Sequence, residues 1–142
     1  SMIIPDAGVL VQAFRADAPE HSLCREWLES VVDGDARFGV APCVLADVVR
    51  TATDPRVFLR PNKPARVVEF CEALLEQPHC VRVEPGPRHW SVFARLCETT
   101  EARGALTVLA WNAALAIEWG CEWITLDRDY ARFADLRWQL PA

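Results

Sequence analysis

The sequence lacks the features that mark several common classes of protein. Its 142 residues contain no Cys-x-x-Cys pair and no histidine at zinc-finger spacing, which argues against the usual zinc modules. No apolar run approaches the ~20 residues needed to cross a bilayer. Ser1 ahead of Met2 resembles a remnant of tag removal, and no charged-then-apolar leader follows it. We therefore expect a soluble, cytoplasmic protein.

An excess of positive charge is also missing. The formal net charge of −5 argues against a protein that grips long nucleic acid through a general basic field. This charge is compatible with a local basic groove, and it suits a cluster of acidic residues that holds a metal ion. The six cysteines are scattered singly along the chain, and we expect them to be core thiols.

What the chain does contain is a regular alternation of apolar segments. Hydrophobic residues make up 51% of the sequence, and we find no repeat and no linker, so we predict one domain over residues 1–142. Short apolar runs typical of buried strands alternate with helical patterns, which predicts an α/β fold around a parallel sheet. The helices are predicted at residues 9–14, 21–33, 42–53, 65–76, 89–100 and 105–119, and the strands near residues 2–4, 38–41, 80–83, 123–125 and 136–139.

Two acidic residues directly follow predicted strands. Asp6 ends the first apolar run, and Asp127 follows the strand at residues 123–125. In a parallel sheet the carboxyl ends of the strands meet at one edge, which is where open α/β sheets bind ligands. We therefore expect the two carboxylates to lie close enough to share one ion. The alternative for Asp6 is a helix N-cap, since aspartate is favoured there.

A third acid lies on the predicted helix at residues 42–53. This helix is apolar on most sides, which predicts burial and leaves Asp47 and Arg50 to be explained. The two residues are three apart and could simply pair along the helix surface. Alternatively, Asp47 covers the sheet edge and joins the other acids. Three carboxylates with no nearby histidine favour a hard cation such as Mg²⁺.

The segment at residues 54–64 combines proline with cations. Arg56, Arg60 and Lys63 alternate with apolar side chains. Such a strip suits contact with phosphates, although a solvated loop has a similar composition. For His89 we predict a place at a helix start rather than a role as a metal ligand, because no other histidine is near it in the sequence.

An ordered set of short motifs extends over nearly the whole chain. The motifs lie at residues 3–7, 44–50, 54–58, 85–90, 103–106, 113–118 and 125–133. Each motif is weak, but together and in this order they resemble the PIN-domain family, and within it the VapC-type toxins of toxin-antitoxin systems. The resemblance implies a PIN-like α/β/α sandwich, in which helices flank a short, mostly parallel central sheet.

The resemblance also implies a function. Such proteins are Mg²⁺- or Mn²⁺-dependent endoribonucleases that cleave structured RNA in the bacterial or archaeal cytoplasm. A VapB-like antitoxin holds them inactive, and they usually form a homodimer. An antitoxin segment would lie in a groove beside the active site, with Trp27 and Phe14 as candidate walls and Arg50 or Arg56 meeting its acidic residues.

The family uses four acids, and this sequence departs from that pattern. Asp6 matches the first acid and Asp127 the last. Asp47 falls where the family has glutamate, and Leu109 falls where it has aspartate. The resemblance therefore implies a catalytic and metal-binding set of Asp6, Asp47 and Asp127 that is one ligand short. For Leu109 itself, core packing is the simpler explanation.

Three residues are candidates to assist this reduced set. Asp129 stands two residues beyond Asp127, and Asn112 lies one helical turn from Leu109 on roughly the same face. Thr125 is the third candidate. Two functions remain open, a weakened but working ribonuclease and a catalytically silent PIN fold that still binds antitoxin or RNA.

Overall fold

The computed structural model describes all 142 residues and contains six α-helices and five short strands. The predicted helices at residues 21–33, 89–100 and 105–119 have the predicted bounds, and the others differ by one or two residues. The helices are α1 Ala7–Phe14, α2 His21–Asp33, α3 Pro42–Ala52, α4 Pro64–Leu75, α5 His89–Thr100 and α6 Ala105–Trp119. The strands are β1 Ile3–Pro5, β2 Phe38–Val40, β3 Cys80–Arg82, β4 Glu122–Ile124 and β5 Trp138–Gln139, with a 3₁₀ turn at Arg128–Arg132.

Local sequence signals explain where the helices begin and end. Pro42 occupies the first turn of α3, where its missing N–H costs nothing. Gly120 ends α6 in the left-handed region at φ 65°, and its N–H donates to the carbonyl of Ala116. In α2, Cys24, Trp27 and Leu28 form the buried stripe of an amphipathic helix. None of the helices combines the length and apolar character needed to span a bilayer.

All strand pairs are parallel, which confirms the predicted α/β architecture. Strand β4 pairs with β1 on one side and β5 on the other, and β2 pairs with β3. The strands thus form two small sheets rather than one. Strand β2 nevertheless lies against β1, since a Cβ added to Gly39 would stand 3.0 Å from Cγ1 of Ile4 and 2.7 Å from Cγ2 of Val83. Glycine permits this close approach.

The buried apolar side chains form one core cluster of 32 residues between the strands and the helices. Trp27 belongs to this cluster and is largely buried, and the prediction that it forms a wall of an antitoxin groove is not tested by this burial. Phe14 is half-buried and packs on Phe70, with ring centroids 4.9 Å apart. The rings of Trp27 and Phe14 both stabilise the fold, because their burial removes apolar area from water.

The cysteines are all free, as the scattered spacing suggested. Three of them, Cys24, Cys71 and Cys121, are buried core thiols as predicted. Cys43 departs from the prediction because it is exposed near the start of α3.

Candidate active site

Asp6 lies between β1 and α1, at the carboxyl edge of the sheet. Its backbone N–H donates to the carbonyl of Ile124 at 2.8 Å, which extends the pairing of β1 with β4. Its Oδ1 accepts a hydrogen bond from the N–H of Ala7 at 2.7 Å. Asp6 is therefore the N-cap of α1. The two interpretations of this residue do not exclude each other, because one carboxylate oxygen caps the helix and the other faces Thr125.

Thr125 connects the two acids that follow strands. Its buried hydroxyl donates to Oδ2 of Asp6 at 2.7 Å and accepts from the N–H of Asp127 at 2.9 Å. Asp127 is exposed, and its Oδ1 accepts from the N–H of Asp129 at 2.9 Å. The expectation that Asp6 and Asp127 lie at the same sheet edge is confirmed. Whether they share an ion stays a prediction.

Asp6, Asp47 and Asp127 line one cavity of about 400 Å³, which we call the acid cavity. No lysine or arginine lines it. The remaining lining residues are polar or apolar: Ala7, Gly8, Val11, Gln12, Thr51, Val108, Leu109, Asn112, Leu126 and Tyr130. Three carboxylates around a cavity with no cation in its walls favour the binding of a positive ion there.

The electrostatics of Asp6 reflect this arrangement. Burial raises the pKa of the Asp6 carboxyl from 3.8 to about 6, and the charges of Asp127 and Asp47 act in the same direction. The hydrogen bonds from Thr125 and Ala7 oppose the rise in pKa because they stabilise the charged form. A bound cation would lower the pKa of Asp6, since it favours the ionised carboxylate.

Asp47 and Arg50 pair along the surface of α3, which is one of the two alternatives that the sequence left open. Nε of Arg50 lies 2.8 Å from Oδ1 of Asp47. The side chain of Arg50 is 68% exposed, so the expected burial of this position is wrong. The apolar residues of α3 occupy the opposite side of the helix. Asp47 therefore reaches the acid cavity with part of its charge already balanced.

The donor atoms suit a hard cation that keeps much of its water. They are all oxygens, from carboxylates and the Asn112 amide, which is the ligand type that Mg²⁺ and Mn²⁺ prefer. No group of three histidine, cysteine, aspartate or glutamate side chains is close enough to hold a metal ion together. The carboxylates of Asp6 and Asp127 are of the type that suits such a cation, and their role as its ligands stays a prediction.

The structure also locates the departures from the four-acid pattern. Leu109 is half-buried, packs against the core and lines the acid cavity. Core packing is therefore confirmed for Leu109, and its correspondence to an acid of the family stays a prediction from the resemblance. Asn112 donates from Nδ2 to the hydroxyl of Tyr130 at 3.1 Å, and no protein group donates to its amide oxygen. This oxygen remains able to accept a ligand.

Asp129, Arg56 and His89 lie outside the acid cavity. Asp129 is exposed and its Oδ1 lies 4.0 Å from Nε of Arg132, so it does not turn inward beside Asp6. Arg56 is exposed and pairs with Asp54 at 3.2 Å. His89 begins α5 as predicted, and its buried Nε2 lies 3.0 Å from the carbonyl of Trp111.

Sequence reasoning missed two features of the site. Tyr130 is a buried wall of the acid cavity, and its position inside the motif at residues 125–133 was the available signal. The second is an apolar cavity of about 660 Å³ next to the acid cavity, which shares Ala7, Asp47, Val108 and Asn112 with it. Its other lining residues are Cys43, Val44, Ala46, Arg50, Phe93, Thr107 and Trp111. No periodic pattern marks such a set, because it combines residues of four helices.

Comparison with known proteins identifies the class to which this fold and site belong. The family model for the PIN domain matches residues 3–136, and the chain belongs to the PIN-domain family.

Its relatives within that family are VapC proteins. The chain is 40% identical to ribonuclease VapC31 of Mycobacterium tuberculosis over 136 residues, covering 96% of both chains. It is 39% identical to ribonuclease VapC43 of the same species over 140 residues, covering 99% of this chain and 95% of the relative.

Solved structures agree on the fold. The VapBC2 structure from Rickettsia felis bound to promoter DNA aligns with a TM-score of 0.69 at 12% identity, covering 99% of this chain and 98% of that chain. The Mycobacterium tuberculosis toxin VapC20, described as cleaving the sarcin-ricin loop, aligns with a TM-score of 0.65 at 14% identity, covering 95% and 98%.

The raised pKa of Asp6 predicts a pH-dependent stability. The stability that this group contributes is fully present below pH 3.8 and is lost as the pH rises through about 6. We expect Asp6→Asn to raise the free energy of unfolding of the metal-free protein at pH 8 by roughly 1–3 kcal/mol, because the amide carries no charge to desolvate. Urea unfolding in EDTA at pH 5 and pH 8 measures this change.

The matched control is Asp35→Asn, which alters an exposed acid in the turn before β2. This variant should leave the pH dependence of wild type unchanged. An Asp6→Asn protein that loses stability between pH 5 and pH 8 as steeply as wild type would contradict the assignment of this effect to Asp6.

Proposed function

We propose that this chain is a metal-dependent endoribonuclease and the toxin of a type II toxin-antitoxin system, acting on structured RNA in the bacterial or archaeal cytoplasm. One observation carries the proposal: three carboxylates surround a cavity with no cation in its walls, at the carboxyl edge of parallel strands. The relationship to the VapC ribonucleases supports the same conclusion.

Four residues would hold the metal. Asp6 and Asp127 are the principal ligands, Asp47 acts through water, and Asn112 offers a neutral oxygen. When bound, Mg²⁺ or Mn²⁺ activates a water molecule for attack on the phosphodiester and stabilises the negative charge that develops. The protein's own contribution is orientation. Thr125 holds Oδ2 of Asp6 by a hydrogen bond and holds the Asp127 segment through its backbone N–H.

A second candidate function is a catalytically silent PIN domain that binds antitoxin or RNA. The absence of a three-ligand group, together with Leu109 in the cavity wall, favours this alternative. Two direct carboxylates can still hold a hydrated Mg²⁺, which usually relies on only one or two carboxylates plus substrate phosphate. We therefore favour the working ribonuclease.

Cleavage of a structured RNA distinguishes the two functions. We expect Mg²⁺- or Mn²⁺-dependent cleavage that EDTA abolishes. Asp6→Ala and Asp127→Ala should each lower the rate by about 100-fold or more, the scale on which losing one electrostatic partner of a transition state slows an enzyme. Gel electrophoresis of a labelled RNA measures the rate. Asp35→Ala is the control for loss of an exposed acid and should cleave like wild type. Metal-independent cleavage, or none with either metal, would contradict the proposal.

Restoring the missing acid should strengthen the metal site. A carboxylate ~4 Å from a unit charge gains about 4 kcal/mol at an effective dielectric of 20, before its own desolvation is subtracted. Because Leu109 lines the acid cavity, we expect Leu109→Asp to tighten Mn²⁺ binding by roughly tenfold or more and to raise RNA cleavage. Calorimetric titration with Mn²⁺, together with a cleavage assay, measures both effects.

Leu109→Asn is the matched control, since it introduces a side chain of similar size to aspartate without the charge. Both variants should lose some stability, because a half-buried apolar contact becomes polar. Only the aspartate should tighten metal binding. Equal metal affinity in folded Leu109→Asp and Leu109→Asn proteins would show that this position does not serve the metal.

The partner we propose is a VapB-like antitoxin, bound in the apolar cavity next to the acid cavity. Its apolar residues would meet Phe93, Val108 and Trp111, and its acidic residues would meet Arg50, whose side chain is exposed. Occupying this cavity would also obstruct RNA, because the two cavities share Asp47 and Asn112. Association of two copies into a homodimer stays a prediction from the family resemblance.

Coexpression with the small reading frame next to the gene tests the antitoxin proposal. The two proteins should copurify, and Val108→Glu should abolish or strongly reduce copurification because a charge enters the apolar contact. Val57→Glu is the matched control, since Val57 is 53% exposed and Val108 is 57% exposed, and only Val108 lines the cavity. Copurification that is lost equally in both variants, or never observed, would contradict this placement of the partner.

A further inference from the structure

Two further cavities continue from the acid cavity along one side of the molecule. The middle cavity, of about 330 Å³, shares Leu109 and Asp127 with the acid cavity and adds Arg103 and Arg132. The outer cavity, also about 330 Å³, shares Arg132 with the middle one and adds Arg95. Arg103 and Arg132 therefore line the cavity next to the acid cavity, Arg95 lines the one beyond it, and we call this path the arginine groove.

Acidic residues in the groove neutralise two of these arginines. Nη2 of Arg95 lies 3.3 Å from Asp135, and Nε of Arg132 lies 4.0 Å from Asp129. Glu101 and Asp127 also line the middle cavity, yet Arg103 forms no ion pair with any carboxylate. Arg103 is thus the groove cation whose charge remains available to a ligand, directly beside the acid cavity.

An unusual backbone turn presents Arg103 at this place. Glu101, which ends α5, is the only non-glycine residue of the chain with a positive φ, at 51°. Gly104, just before α6, has φ 56° and ψ −124°, which residues with a side chain rarely adopt. Glycine adopts this conformation without strain, so a left-handed residue and a glycine form the turn on the two sides of Arg103.

A phosphodiester that approaches three carboxylates is repelled by them at distances beyond hydrogen bonding. A cation next to the acid cavity offsets this repulsion for the neighbouring phosphates of the chain. Arginine suits that task because its planar guanidinium can bind two phosphate oxygens at once. The net charge of −5 makes such a local cation more important, since the protein offers no general basic field.

We propose that Arg103, the one arginine of the groove without a carboxylate partner, binds a backbone phosphate of the RNA next to the scissile one. This inference rests on the proposed ribonuclease function. Arg103 is a positioning residue that contacts substrate away from the reacting bond. Because the contact is to phosphate, it is independent of base sequence, and any RNA hairpin with a single-stranded loop can serve as the probe.

The test measures binding and salt dependence in an Asp6→Asn background, which limits cleavage during the titration. A fluorescein-labelled RNA hairpin is titrated by fluorescence anisotropy at several KCl concentrations. We expect Arg103→Ala to weaken binding roughly five- to tenfold near ~0.1 M salt. We also expect it to lower the slope of log Kd against log salt by ~0.7–0.9, the value of one lost phosphate contact.

Two variants make the result specific to Arg103. Arg103→Lys keeps the charge but loses the bidentate geometry, so it should retain the wild-type salt slope with a smaller loss of affinity. Arg66→Ala removes an exposed arginine of α4 that has no ion pair and lines none of the three cavities, and it should bind RNA like the parent protein. Circular dichroism on each variant verifies the fold.

An unchanged affinity and salt slope in folded Arg103→Ala would overturn the inference. So would weakened antitoxin copurification with intact RNA binding, which would mean that Arg103 binds acidic side chains of a protein. Kinetics on the active protein separate this inference from the proposed function. If the chain cuts RNA and Arg103→Ala leaves KM unchanged, only the inference fails. If the chain binds RNA through Arg103 but never cuts it, the inference holds and the ribonuclease function fails.

Discussion

The parallel pairing of β1 with β4 is the constraint on which the candidate site depends. Residues more than a hundred positions apart in sequence meet because the N–H of Asp6 donates to the carbonyl of Ile124, and the hydroxyl of Thr125 then donates to the Asp6 carboxylate. The same hydroxyl accepts from the N–H of Asp127. One buried side chain therefore fixes the relative positions of the two principal acids. A shift in strand register would separate them, since neighbouring residues of a strand point to opposite faces.

The carboxylates lie in the acid cavity, and two arginines lie outside it. The acid cavity contains only carboxylates as charged groups, and burial raises the pKa of Asp6 to about 6, so the folded protein stores an unfavourable interaction that a cation relieves. Arg50 balances Asp47 from the helix surface, and Arg103 stands beyond Asp127 without a carboxylate partner. Such a site reduces the stability of the fold, a cost that is common where a site serves a function.

Leu109 has two kinds of neighbour in the structure, since it packs against the core and also lines the acid cavity. The carboxylates of that cavity are those of Asp6, Asp47 and Asp127. Asn112, one turn further along α6, retains an amide oxygen without a protein donor.

The sequence by itself determined the element order, the parallel α/β class and the pair of acids behind strands, because periodicity and chain breaks are local properties of the sequence. It also determined that Asp47 and Arg50 stand within pairing distance on one helix. It did not decide between a surface ion pair and a place for Asp47 among the acids at the sheet edge. Only the tertiary structure decided that Arg50 is exposed, that Trp27 belongs to the core and that the strands divide into two sheets. The same holds for Tyr130 in the cavity wall and for the groove that Arg103, Arg132 and Arg95 line, since these residues come from separate elements and no local pattern relates them. Contacts between distant segments depend on how whole helices pack. That packing is set by the side chains of both contacting surfaces, so the sequence of one helix alone does not predict it.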